Sequence, residues 1–157
     1  MEQTASEAQD SVIQLPALQR VPVAGHTSGT ETEDHFIQRD GIEFAGTHLI
    51  LDLWEASHLD ELDRMEKAMR EAVGVAGATL LHIHLHHFTP SDGISGVAVL
   101  AESHISVHTW PERSFAAFDI FMCGDARPEM AIPVLKRAFL PGRMIITEQL
   151  RGIVNER

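Results

Sequence analysis

Between Ser95 and Cys123 the chain concentrates side chains that can attack a carbonyl or move a proton: Ser95, Glu102, Ser103, His104, Ser106, His108, Glu112 and Cys123. Imidazole titrates near neutrality and suits proton removal. A hydroxyl can act as a nucleophile, and a thiol can deliver a proton while itself neutral. If 104–110 is a strand, His104, Ser106 and His108 share one face while Ile105 and Val107 share the other. For an arbitrary sequence a half-exposed strand with a wet face is the plainer reading. A lone cysteine is likewise more often a small buried hydrophobe. Here two histidines, a serine and two glutamates crowd one strand end, with the only cysteine downstream. The residues around Ser103, Ala101-Glu102-Ser103-His104-Ile105, lack the glycines of a hydrolase elbow. No glycine-rich phosphate loop occurs either.

The run 93–112, GISGVAVLAESHISVHTWPE, continues in register into 115–124, FAAFDIFMCG. Together they resemble the signature of prokaryotic, pyruvoyl-dependent S-adenosylmethionine decarboxylase proenzymes. Weaker similarity spans 46–152 and includes His48-Leu49 and Asp52. The resemblance implies self-cleavage between Glu102 and Ser103. The Ser103 hydroxyl attacks the preceding carbonyl, and β-elimination from the ester leaves a covalent pyruvoyl group as cofactor. The products are a β chain of 1–102 and an α chain of 103–157. By the same resemblance His108 accepts the Cα proton during processing, Ser95 assists it, and Cys123 is the proton donor to the decarboxylated carbon. Glu112 matches the acid that accepts hydrogen bonds from the ribose, and Phe88 and Trp110 match the aromatics flanking adenine. The loop 88–93 is one residue longer than is usual in the family. A pyruvoyl carbonyl forms a Schiff base with the substrate amine and serves as an electron sink without pyridoxal phosphate. The implied role is supply of decarboxylated S-adenosylmethionine for spermidine, hence polyamine, biosynthesis. The implied assembly is a homo-oligomer of αβ units, a dimer at least, with each site built from both protomers.

The elements that must position these residues are readable from periodicity. HLILDLW, 48–54, alternates as a strand. Ser57 reads as the N-cap of a helix whose apolar stripe runs Leu59, Leu62, Met65, Met69 and Val73, with Asp60, Glu61 and Asp63 in its first turns and Gly74 and Gly77 at its end. Strands follow over 79–88, 94–101, 104–110 and 115–122, with a turn at Pro90-Ser91-Asp92-Gly93. A helix spans 125–140, with Pro128 near its start and Pro133 costing it a hydrogen bond. Pro141-Gly142 ends it, and 143–150 is the last strand. Two helices serving five or six strands predict an α+β, two-layer sandwich: a mainly antiparallel sheet with both helices on one face. The other face then needs a cover, most simply a partner subunit.

With 157 residues, 44% of them hydrophobic, the chain suits one compact domain. Residues 1–40 carry seven acids against Arg20 and Arg39 and so supply −5 of the net −11. They read as an acidic, disordered extension, leaving 41–157 as a single catalytic domain. The acidity argues against nucleic acid and membrane as partners. One cysteine excludes an intrachain disulfide and fits a reducing compartment, so a cytoplasmic location is expected. His82, His84 and His86 alternate on one strand beside His87, but without further converging ligands no metal is expected there. Two other functions compete: a pyruvoyl-dependent ornithine or arginine decarboxylase of the same family, and a processing-dead homologue that only binds the ligand.

Overall fold

The computed structural model describes residues 36–154. It opens with a hairpin, β1 (Ile37–Arg39) and β2 (Ile42–Phe44). Asp40 and Gly41 both take positive φ, 53° and 79°, as the tight turn of a right-twisted hairpin requires. Regular structure therefore begins before Gly41, and the boundary expected at residue 40 falls inside this turn. The remainder of the expected extension, 1–35, lies outside the described residues.

Six strands form the main sheet: β3 (Gly46–Trp54), β4 (Leu80–His87), β5 (Ile94–Leu100), β6 (Ser103–Trp110), β7 (Phe115–Met122) and β8 (Arg143–Arg151). Their spatial order is β4-β5-β6-β7-β3-β8, and every neighbouring pair is antiparallel. Alternation sorts the two faces. Leu49, Leu51, Leu53, Ile105, Val107, Phe118 and Ile120 are buried on one. Helices α1 (Leu62–Val75) and α2 (Ala131–Phe139) cover that face with Met65, Met69, Val73, Leu135 and Phe139. Each such side chain removed from water contributes about 1.5–3 kcal/mol before entropy is counted. The expected two-layer α+β architecture is the observed one.

Local details differ from the sequence reading. Helix α1 begins at Leu62 with Glu61 at its cap, not near Ser57. His58 sits at φ 62°, which breaks any helical run from 57, and the Ser57 N–H donates instead to the Phe139 carbonyl. Gly77, at φ 75°, follows the helix end, whereas Gly74 lies inside it. The second helix is shorter than expected: a 3-10 turn, Pro128–Met130, precedes α2. Pro133 is thus the third residue of α2, where the missing N–H has no intrahelical partner to lose.

The opposite face of the sheet is covered by no helix among the described residues. It carries Ile50, Val99, Trp110 and Ile145, all at least 37% exposed, among histidines, Ser95, Ser106 and Asp119. No helix among the described residues is long and apolar enough to cross a membrane.

Candidate active site

Ser103 opens strand β6 directly after a two-residue turn, Ala101-Glu102, that joins it to β5 through the Leu100–Ser103 pair. Glu102 closes that turn at φ 59°. A non-glycine residue there stores roughly 1–3 kcal/mol, held only because the surroundings over-determine it. The surroundings do: the Ala101 N–H donates to the Thr79 carbonyl at 2.9 Å, and the Cys123 N–H donates to Ser103 Oγ at 3.1 Å. Cys123 leaves the end of β7, and Gly124 at φ 60° turns the chain behind it. Ser103 and Cys123 line a cavity of about 350 Å³ with Glu102, Asp125 and the Gly77–Thr79 segment. Burial pushes the Cys123 thiol up, and the charge of Glu102 pushes it further the same way. A thiol so placed is held toward its protonated form and can donate a proton.

Ser95 and His108 face each other across the β5–β6 pair. Their side chains share a hydrogen bond of 2.8 Å between Ser95 Oγ and His108 Nδ1. Both line a second cavity, of about 310 Å³, together with Phe88, Ser91, Trp110 and Glu112. Glu112 projects from the 3-10 turn Pro111–Arg113 that ends β6. Trp110 stacks on Phe115 at 5.3 Å, and Phe115 on Trp54 at 4.4 Å. Phe88 meets the His86 ring edge-on at 4.5 Å. Within the loop 88–93 the Phe88 N–H donates to the Gly93 carbonyl at 2.8 Å and the Phe88 carbonyl accepts from the Asp92 N–H at 2.9 Å.

The two cavities do not merge within one chain. Ser103 and His108 lie five residues apart on the same strand, roughly 17 Å at strand rise. Their parity sends them to opposite faces: Ser103 shares the helix-covered face with Ile105 and Val107, His108 the open face. Phe88, Trp110 and Glu112 all stand at the His108 end, and Cys123 at the Ser103 end. One chain therefore carries two separate half-sites, a serine hydroxyl with a thiol and an imidazole with an aromatic, acidic pocket.

Sequence reasoning missed two features. Thr109 is buried, its Oγ1 accepting from the Ile94 N–H at 2.8 Å and donating to the Leu59 carbonyl at 2.9 Å. It pins β5, β6 and the loop before α1 beneath the His108 cavity. On the open face, Arg151 donates to His48 Nδ1 at 3.2 Å, so Nε2 carries the proton that meets Asp119 Oδ1 at 3.2 Å. Ser106 donates to the other Asp119 oxygen at 3.3 Å. Beside them burial, then the charge of His48, lowers the His104 pKa, against the opposing pull of Asp119. His48 pairs with Phe121 across a register no local pattern reveals.

An antiparallel sheet backed by two helices, with a serine hydroxyl, a thiol and an imidazole at its strand ends, defines a two-layer α+β protein with the groups of a candidate active site. The family model for S-adenosylmethionine decarboxylase matches residues 47–152, and the chain belongs to that family. It is 44% identical over 110 residues to the S-adenosylmethionine decarboxylase proenzyme of Thermomicrobium roseum, covering 69% of this chain and 95% of the relative. It is 46% identical over 113 residues to the proenzyme of Methanococcus vannielii, covering 70% and 92%. The crystal structure of the adenosylmethionine decarboxylase from Aquifex aeolicus superposes with a TM-score of 0.66 at 32% identity, covering 73% of this chain and 96% of that one.

Proposed function

We propose that the chain is a proenzyme that cuts itself between Glu102 and Ser103 and then, as β and α chains in the cytoplasm, decarboxylates S-adenosylmethionine for spermidine biosynthesis. The observation that carries this reading is the Ser103–Cys123 contact beneath a turn whose scissile residue, Glu102, is held in the left-handed region.

The Ser103 hydroxyl attacks the Glu102 carbonyl and its amide nitrogen leaves, so the peptide becomes an ester and the turn is released from its strained backbone. Removal of the Ser103 Cα proton then expels the Glu102 carboxylate. Hydrolysis with loss of ammonia leaves a pyruvoyl terminus at position 103. His108 is the base for that proton. For this it must donate Nδ1–H to Ser95 Oγ, leaving Nε2 free to accept. Since His108 stands roughly 17 Å from Ser103 in its own chain, the base comes from a second copy, and two copies pair to complete each site. The open sheet face, with no covering helix among the described residues, is the surface on which they pair.

Ser103, the one serine lining the cavity of about 350 Å³, yields the pyruvoyl group there, and the cavity has room for the methionyl arm. That carbonyl supplies the electron sink for loss of carbon dioxide. The protein's own groups do the rest. Phe88 and Trp110 flank the adenine, the Glu112 carboxylate accepts from the ribose hydroxyls, and the Cys123 thiol protonates the carbon that lost its carboxylate.

Two aromatic side chains lining one cavity with an acid offer stacking for a flat base beside an acceptor for ribose hydroxyls, which supports the nucleoside substrate over ornithine or arginine, whose cations would use the acid but not the stacking. Release of labelled carbon dioxide from carboxyl-labelled S-adenosylmethionine, compared with ornithine and arginine, tests the choice. Release from either basic amino acid and none from S-adenosylmethionine would overturn it. A full-length band persisting after long incubation, with S-adenosylmethionine bound but not consumed, would identify a processing-dead binding protein instead.

A further inference from the structure

Six histidines, His48, His82, His84, His86, His104 and His108, stand on the open face of the main sheet, spread over β3, β4 and β6. The fixed charges on the strands of that face are few and balanced, Asp52 and Asp119 against Arg143 and Arg151, with Glu112 at its edge beside His108. The face is therefore close to neutral while its imidazoles are neutral. It becomes strongly cationic when they take up protons. We propose that the pairing of two copies through this face is acid-sensitive, the histidines dissolving the dimer, and the composite site with it, as pH falls through the imidazole range. This rests on the pairing proposed above.

The groups facing each histidine are the following. His48 lies between Asp119 and Arg151. His104 packs on Phe121 at 5.7 Å, with His48 and Asp119 as its charged neighbours. His108 faces Ser95 and Trp110, with Glu112 beyond it in the same cavity. His82, His84 and His86 oppose Val99, Val97 and Ser95, and neither β4 nor β5 carries an acid. A second copy brings the same two aspartates, two arginines and Glu112, so it adds as many imidazoles as the first. Covering an imidazole favours its neutral form. A free face then binds more protons than a paired one, and acid drives the copies apart. Each histidine that pairing keeps neutral therefore adds to the weakening of the dimer as pH falls.

Sedimentation of the cleaved enzyme at about pH 7.5 and about pH 5.5 tests this, with far-UV dichroism followed in parallel. The expected result is a dimer at the higher pH and a dissociation constant at least about 100-fold larger at the lower, with helix signal retained. The double variant His82→Asn/His84→Asn, remote from both half-sites, should stay dimeric at the higher pH and lose part of the acid sensitivity. An equal dissociation constant at both pH values overturns the inference, as does a variant as acid-sensitive as the parent. Dissociation accompanied by loss of the helix signal overturns it too, because the switch would then lie in the fold. A monomer already at the higher pH would instead remove the pairing on which it rests.

Discussion

The Cys123 backbone N–H donates to Ser103 Oγ at 3.1 Å, tying the head of β6 to the loop that follows β7. The contact fixes the serine hydroxyl beside the peptide bond it follows in sequence and beside a thiol in the same cavity. The serine hydroxyl and the thiol are thus held by two segments clamped to one another.

Replacing the nucleophile should stop the first step and therefore the second. Ser103→Ala is expected to migrate as one full-length band on denaturing electrophoresis and to release no carbon dioxide from S-adenosylmethionine. Cleavage of this variant at the same bond would refute the assigned nucleophile.

The left-handed backbone of Glu102 predicts a stability effect separable from catalysis. In the uncut Ser103→Ala background, Glu102→Val puts a β-branched residue at φ 59° and should cost about 1–2 kcal/mol. Urea denaturation measures it. A midpoint equal to that of the parent would mean the turn carries no strain.

Burial and the Glu102 charge both raise the Cys123 pKa. Thiolate, and with it the rate of alkylation by iodoacetamide, should therefore rise only above the ordinary thiol range of about 8.5. Glu102→Gln in the uncut background removes the smaller cause and should move the midpoint down without restoring the ordinary value. A midpoint at or below the ordinary range would remove the basis for a neutral-pH proton donor.

Thr109 tests the support under the His108 half-site. Thr109→Val leaves the Ile94 N–H and the Leu59 carbonyl without their partner, at a cost of about 2 kcal/mol. Self-cleavage should slow while Thr109→Ser retains most of its rate. Equal rates in both variants would show that the strut does not position His108.

Mixing two dead chains probes the split of the site. Ser103→Ala and His108→Ala should each stay uncut alone. Co-expressed, the His108→Ala chain should be cut, because it keeps Ser103 and borrows His108 from its partner. Mixtures that remain wholly uncut would place the base in the same chain as the nucleophile.

Much of this was open to reading from residue order. Strand β7 is legible because FAAFDIFM alternates strictly, and the burial of Ala116, Phe118, Ile120 and Met122 follows from it. The start of α1 is not legible, because the positive φ of His58 and the reach of Thr109 to Leu59 over fifty residues override the local capping pattern at Ser57. Parity alone already sends Ser103 and His108 to opposite faces, yet resemblance assigns both to one reaction. Only the register of β5, β6 and β7 turns that tension into a statement about two half-sites. The Arg151–His48–Asp119 chain depends on β3 lying between β7 and β8, which no short segment encodes.

Intact-mass spectrometry of the purified, fully matured protein addresses the central claim most directly. The account predicts two fragments: residues 1–102 ending in a free carboxylate at Glu102, and a fragment starting at position 103 that is lighter than a serine terminus by the mass of ammonia. A single unbroken chain, or a second fragment beginning with an intact serine, would contradict it.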